Sequence, residues 1–431
     1  MKCKRIAYFV ALASGMLGSS TVFASGFQLL EQNASGLGNA YAGSAAVADD
    51  ASTVFYNPAG MTQLRDHEVS LGGAVIKASY KFSDNGSSVA PASTGGNGGD
   101  AGSTAVLPNA YMSWGLNRNW YLGLGLGAPF GLKTEYDNDW VGRFQSIKFD
   151  IKTVNINPSV AWRIDDQVSV GVGLNWQRMK ADYERMAAVA SSSLPSGFWP
   201  LVQNTRLHLS VDNDAIGWNA GALFKLSDAT RVGLSYRSAI KHKLDGTLTS
   251  TNQAISPDVN ARVDITLPDT LILSAVHKLN PHWDLLGDVS WTGWSKIDQV
   301  DIWRTSGTAS GQTSPAQTLD VRFRDTWRVS FGARQMLNEQ WQMKYGVAYD
   351  QAPVRGADSR LVSLPDNDRI WLSIGTQYRF GAGSRVDLGL AYLIVRDTKV
   401  DNNQSASGRG HIVGNYTGSI GVVGLQYSLA F

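Results

Sequence analysis

The chain has 431 residues, with 38 Lys and Arg against 36 Asp and Glu, a single cysteine and 43% apolar residues. Lys2, Lys4 and Arg5 precede an apolar run from Ile6 to Leu17 and then Val22-Phe23-Ala24, so residues 1–24 read as a secretory signal peptide cleaved after Ala24. Cleavage leaves 35 basic against 36 acidic residues, which argues against nucleic acid as a partner, and it removes Cys3, which excludes a disulfide framework, a thiol nucleophile and a cysteine metal site.

Residues 25–66 come next, rich in Gly, Ala, Ser and Asn and with little alternation. Their size suits a plug, a hatch inside a barrel lumen; a disordered periplasmic tail is the alternative.

From Val69 to Phe82 the first strand is expected, and from there the period is two. Val168, Val170, Val172, Leu174 and Trp176 alternate with Ser169, Gly171, Gly173 and Asn175. The same rhythm runs through Met343 to Tyr349, Ile370 to Phe380 and Val423 to Phe431. One face of each strand is then greasy and the other small or polar. With 45 Gly and with 14 Trp, 15 Tyr and 14 Phe spread along the chain, this is the composition of a transmembrane antiparallel β-barrel, aromatic at its interfaces and crowded in its lumen.

Short polar links fall at Asn117-Arg118-Asn119, Asp165-Asp166-Gln167, Ser227-Asp228-Ala229, Asn280-Pro281-His282, Asn338-Glu339-Gln340 and Gly381-Ala382-Gly383. Six such turns, with one further strand at each end, predict about 14 strands over residues 67–431. Longer links at 83–103, 181–206, 243–262, 298–320 and 398–410 are expected to face the cell exterior.

Three places depart from plain barrel patterning. Trp120, Leu122, Leu124 and Leu126 alternate with glycines until Pro129-Phe130-Gly131 interrupts the strand, because proline cannot donate to the ladder and glycine tolerates a bend. This is either a side opening or a bulge without consequence. In a strand expected from Val321, the residues Val321, Phe323, Trp327, Val329 and Phe331 take the lipid face, which points Arg322, Arg324 and Arg328 inward. Arg185 points inward too if the strand from Val168 continues that far. The link 181–206 concentrates apolar residues, among them Phe198, Trp199 and Leu201, suited to gathering greasy molecules outside the cell.

Gly26-Phe27-Gln28, Ser35-Gly36-Leu37-Gly38-Asn39-Ala40-Tyr41, Ala48-Asp49-Asp50-Ala51, Asn57-Pro58-Ala59, Gly217-Trp218-Asn219-Ala220-Gly221, Phe323-Arg324-Asp325 and Leu364-Pro365-Asp366-Asn367-Asp368-Arg369 stand in this order. Together they resemble the FadL family of outer-membrane transporters of long-chain fatty acids and other hydrophobic compounds, over essentially the whole chain after the leader. The resemblance implies a 14-stranded barrel with an N-terminal hatch in which Asn57, Pro58 and Ala59 form the hatch motif. It implies that Arg185 and Arg324 hold the cargo headgroup, with Arg324 where the family's pattern has lysine, and that Pro129, Phe130 and Gly131 kink the third strand into a lateral exit. Phe27 then lines the tail slot. The alternative for both arginines is balance of lumenal acids such as Asp325, Glu184, Asp49 or Asp50.

The expected partners are therefore a long-chain fatty acid or other hydrophobic small molecule, with outer-membrane lipid and lipopolysaccharide around a monomer. No cofactor or metal is implied. Histidines at 67, 208, 242, 277, 282 and 411 are scattered outside any nucleophile or metalloprotease pattern, which speaks against a lipid hydrolase. A passive porin for small polar solutes is the other alternative; a hatch that blocks the channel would serve it poorly.

Overall fold

A computed structural model describes residues 26–89, 94–189, 194–307, 314–381 and 383–431; the expected leader lies outside them. Twenty strand segments follow in chain order: β1 (His67–Asp84), β2 (Thr104–Gly115), β3 (Trp120–Gly127), β4 (Gly131–Glu135), β5 (Lys148–Arg163), β6 (Val168–Met186), β7 (Arg206–Lys225), β8 (Thr230–Arg237), β9 (Ile240–Ser250) and β10 (Val259–Leu267). The second half comprises β11 (Thr270–Asn280), β12 (Trp283–Thr292), β13 (Gln299–Arg304), β14 (Gln317–Asp320), β15 (Thr326–Met336), β16 (Trp341–Asp350), β17 (Arg369–Phe380), β18 (Ser384–Val395), β19 (Thr398–Asn403) and β20 (His411–Ala430).

Six pairs of segments are single strands broken by a bend, namely β3/β4, β8/β9, β10/β11, β12/β13, β14/β15 and β18/β19, so the wall has 14 antiparallel strands. It closes where β1 pairs with β20 from Glu68↔Ala430 to Asp84↔Gly414. All six short turns expected from the sequence join consecutive strands at one end, the end that faces the periplasm in such barrels.

The two-residue rhythm sorts side chains as expected over the membrane belt. Leu124, Val172, Leu174, Ile216, Trp218 and Phe331 are exposed on the outer face, while Asn155, Asn157, Asn175 and Asn219 are buried on the inner one. Tryptophans at 114, 120, 162, 218, 327 and 341 stand outward toward the belt's edges.

The strands continue well above that belt, and here the sequence reading needs correction. Strand reaches into the ends of the links 181–206, 243–262, 298–320 and 398–410, through β6, β9, β10, β13, β14 and β19. On β6 the polarity of the two faces inverts at Trp176: Arg178 and Lys180 follow on the outside, and Met179 and Tyr183 are buried inside. The period is still two, but above lipid the outer face meets water and the inner face becomes the apolar one.

Residues 26–66 pack inside the barrel and touch most of its circumference. Asn39 Nδ2 donates to the carbonyls of Ala333 (2.9 Å) and Tyr345 (3.1 Å). Buried Lys344 donates to the Ser35 carbonyl at 2.8 Å and pairs with Asp387 at 2.6 Å. Wall glycines permit this approach: a Cβ at Gly346 would collide with the Asn39 backbone, and one at Gly233 with the Ala45 carbonyl.

Asn57 anchors the segment. Fully buried, it donates from Nδ2 to the Ala45 carbonyl (2.7 Å) and the β7 carbonyl of Ala222 (3.0 Å), and its Oδ1 accepts from the Ala59 N–H (3.1 Å). Pro58, at the start of the 3-10 turn Pro58–Gln63, packs against Gly171 of β6. Asn57→Ala leaves these groups without their partner, a cost of about 1–3 kcal/mol. Hydrogen exchange of the amides between residues 45 and 60 is expected to accelerate while the β7 amides stay protected.

Candidate lumenal binding slot and side opening

The inverted faces of β5, β6, β7, β9, β10, β13 and β14 surround an apolar slot above the membrane belt. Ile151, Met179, Val211, Leu244, Val263, Ile302 and Leu319 line it from the wall, and Phe27 of the N-terminal segment closes it below. Its cavity volume is about 60 Å³, so the lining side chains nearly meet across it. Leu361 and Leu364 complete the lining from the segment between β16 and β17, which folds inward instead of standing outside. That inward fold was not legible as such, although its many small and apolar residues were a signal against an exposed loop.

Arg185 and Tyr183 share the inner face of β6, as expected from a strand that runs to Met186. Tyr183 lines the slot, and its hydroxyl donates to the Gln145 carbonyl. Gln317 of β14 bridges the two: it donates to the Tyr183 hydroxyl at 3.1 Å and accepts from Arg185 Nε at 2.8 Å. Arg185 Nη1 also donates to the Met186 carbonyl at 3.0 Å. Burial, helped by the neighbouring charges of Arg409 and Arg304, lowers the Arg185 pKa to about 10, so the group remains cationic at neutral pH.

Arg324 is elsewhere. The strand expected from Val321 begins only at Thr326, and Arg322 has a φ of 44°, so alternation fails across 321–325. Val321 and Phe323 are buried and line the slot instead of facing lipid. Arg324 donates from Nε to the Ala352 carbonyl at 3.2 Å and lies 3.7 Å from Asp368, with its side chain 37% exposed. Arg322 is also exposed and is paired with Asp320 and Asp358. Arg328 does point inward, to the Ala40 carbonyl at 2.7 Å.

Below the slot four aromatic rings meet. Phe27 lies 4.9 Å from Trp294 and 5.9 Å from Phe130, and Trp294 lies 5.8 Å from Phe323, all between ring centroids. Trp294, fully buried, was not singled out from the sequence. Its ring lies so close to Gly26, which has a φ of 64°, that no side chain fits there.

Phe130 belongs to the interrupted third strand. Pairing between β2 and β3 stops at Ala110↔Leu126, although β2 still pairs with β1 as far as Lys77↔Thr104. Among the described residues Thr104–Asn109 therefore have no ladder partner on the β4 side, and the wall closes again where the Glu135 N–H reaches the Ala101 carbonyl at 3.1 Å. Proline stands on both edges of this opening, Pro108 and Pro129, and neither can donate a ladder bond. Pro108 is a second marker that the sequence reading missed.

The N-terminal segment straps the bent edge from inside. The Gly131 N–H donates to the Phe27 carbonyl and the Leu29 N–H to the Pro129 carbonyl, each at 2.8 Å. Gln32 completes the strap, donating to the Ala128 carbonyl at 2.9 Å and accepting from its N–H at 3.1 Å. Phe27 thus joins slot floor and opening in one residue.

At the outer rim, Phe198 and Leu201 are exposed, 53% and 46%. Trp199 turns back into a small cluster with Ala187, Val202, Leu248 and Ile255, which joins the 181–206 and 243–262 segments.

A family profile described as outer membrane protein transport protein (OMPP1/FadL/TodX) matches residues 15–431. Outer membrane protein P1 of Haemophilus influenzae is 32% identical over 415 residues, covering 89% of this chain and 89% of the relative. The long-chain fatty acid transport protein of Escherichia coli K12 is 29% identical over 415 residues, covering 89% and 91%. Among solved structures, a Pseudomonas aeruginosa FadL homologue superposes with a TM-score of 0.83 at 24% identity, over 94% of this chain and 99% of that one. The Ralstonia pickettii toluene transporter TbuX gives 0.67 at 18% identity, over 93% and 100%. Those two likenesses concern the fold. Taken with the barrel, the family match places the protein in the Gram-negative outer membrane as a transporter and not an enzyme. The chain belongs to the OMPP1/FadL/TodX family of outer-membrane transport proteins.

Proposed function

We propose that this protein takes up long-chain fatty acids or related hydrophobic compounds and releases them sideways through its wall. The observation that carries the proposal is the continuity from apolar slot to Phe27 to side opening. Cargo gathers on Phe198 and Leu201, enters the slot tail first and leaves its head near Arg185. Each buried methylene contributes up to about 0.8 kcal/mol, so the tail supplies affinity while the arginine fork sets orientation. A tail pressing on Phe27 favours the state in which residues 27–32 leave the bent strand, and the opening then connects slot to bilayer. That route never exposes the tail to water.

In this reading residues 25–66 act as the hatch, held by Asn57-Pro58-Ala59, and the protein works as a monomer among outer-membrane lipid and lipopolysaccharide. Arg324 acts from outside the slot, in the approach of an anionic head and not in its final binding. Relatives named for long-chain fatty acid in Escherichia coli and for toluene in Ralstonia pickettii support a hydrophobic cargo.

Native mass spectrometry of lipids co-purified with the protein tests this. An apolar amphiphile is expected on the wild type and is expected to be depleted in Arg185→Ala, while Arg324→Ala retains most of it. In planar bilayers only small, brief currents are expected, because residues 26–66 fill the lumen. A large steady conductance would support a porin instead.

A further inference from the structure

Three guanidinium groups gather at the mouth of the slot without a carboxylate among them. Arg185 stands two residues beyond Tyr183 on the inner face of β6, and Arg304 two beyond Ile302 on the inner face of β13. Tyr183 and Ile302 both line the slot, so both arginines start one tier above its rim. Arg304 is paired across the ladder with buried Ala261, which fixes its inward direction.

Arg409 arrives from the segment before β20. Its neighbour Gly410 accepts a hydrogen bond at 3.2 Å from Gln145 Nε2, and the Gln145 carbonyl accepts from Tyr183. Among the described residues, Arg185 is held by neutral acceptors, Arg409 by Gln404 Oε1 at 3.2 Å, and no acid pairs with any of the three. Nearby acids are engaged elsewhere: Glu184 with Arg206 and Lys148, Asp320 with Arg322, Asp301 with Thr318 and Gln299. Gln317, which accepts from Arg185 Nε, is the ladder partner of Ile302, so Arg185 reaches the strand that carries Arg304; burial first, and then the charges of Arg409 and Arg304, lower the Arg185 pKa.

We propose that this mouth is built for an amphiphile whose head carries two negative charges, a phosphate monoester on an alkyl or acyl tail, in preference to a simple carboxylate. A carboxylate offers two oxygens and one charge, matching one guanidinium fork and leaving two cations facing each other. A phosphate monoester brings nearly two charges and three acceptor oxygens, enough to engage all three. The inference rests on the slot being the cargo site.

The test compares dodecyl phosphate with dodecanoate, equal in tail length, binding to the purified full chain in nonionic detergent. Dodecyl phosphate is expected to bind at least about tenfold more tightly, the size of one or more added hydrogen bonds to charged groups. In R304Q/R409Q the ratio is expected to fall below about threefold on the same grounds. Equal affinities in the wild type, which needs no variant to measure, would overturn the inference, as would a preference that survives both substitutions. Failure of the slot reading looks different: both ligands would bind Ala181→Trp, in which the slot is filled, as well as they bind the wild type.

Discussion

Joining residue 28 to residue 130 by a disulfide is expected to stop uptake by more than tenfold, and reduction is expected to restore it. Gln28 and Phe130 form an antiparallel bridge flanked by the Gly131-to-Phe27 and Leu29-to-Pro129 hydrogen bonds. That makes them a non-hydrogen-bonded pair, with Cα atoms about 4.5 Å apart, inside the range a disulfide accepts. In Gln28→Cys/Phe130→Cys the oxidised bond fixes the strap to the bent strand. Uptake of a labelled fatty acid by cells, before and after a membrane-permeant reductant, separates the latch from loss of the Phe130 ring, since only the latch reverses. Unchanged uptake by fully oxidised protein would show that the strap need not move.

Filling the slot is expected to have an effect of similar size on binding. Ala181 lies on the inner face of β6 between Met179 and Tyr183 and lines the slot. In Ala181→Trp the indole takes space that cargo methylenes would occupy. At about 0.8 kcal/mol per methylene, excluding only three weakens affinity roughly fifty-fold. Equilibrium titration with a fluorescent fatty acid measures this, and retained mobility of the folded band in unheated detergent gels controls for the barrel. Affinity unchanged within about threefold would move the binding site out of the slot.

Much of the fold was legible because the bilayer imposes one rule on every strand. Val172, Leu174 and Trp176 against Gly171, Gly173 and Asn175 leave no second arrangement, and the short turns count the strands. The same rule hid the slot. Above Trp176 the outer face meets water, so Arg178 and Lys180 turn outward and Met179 and Tyr183 inward; an unchanged period with reversed polarity resembles a polar loop when only hydropathy is followed. Once noticed, that reversal marks where membrane ends and binding site begins.

Arg185 followed from strand continuation. Arg324 did not, because its inward direction assumed an unbroken strand where Arg322 adopts a left-handed backbone and β15 starts late. Pro129 was visible as a breaker, but its partner across the opening, Pro108, sits in a strand that is otherwise regular. The strap of residues 27–32 was beyond reach of any local pattern, since its hydrogen bonds join positions about a hundred residues apart in sequence.

The central claim is that cargo leaves through the wall between β2 and β4. A fatty acid carrying a photoreactive diazirine at its tail end, activated during uptake and mapped by mass spectrometry, tests it most directly. Labels are expected on Phe27 and on the edges of the opening, at Leu107, Asn109, Phe130 and Leu132. Labels concentrated instead on the periplasmic bowl, at Arg65, Arg231 and Arg334, with the opening untouched, would contradict the account.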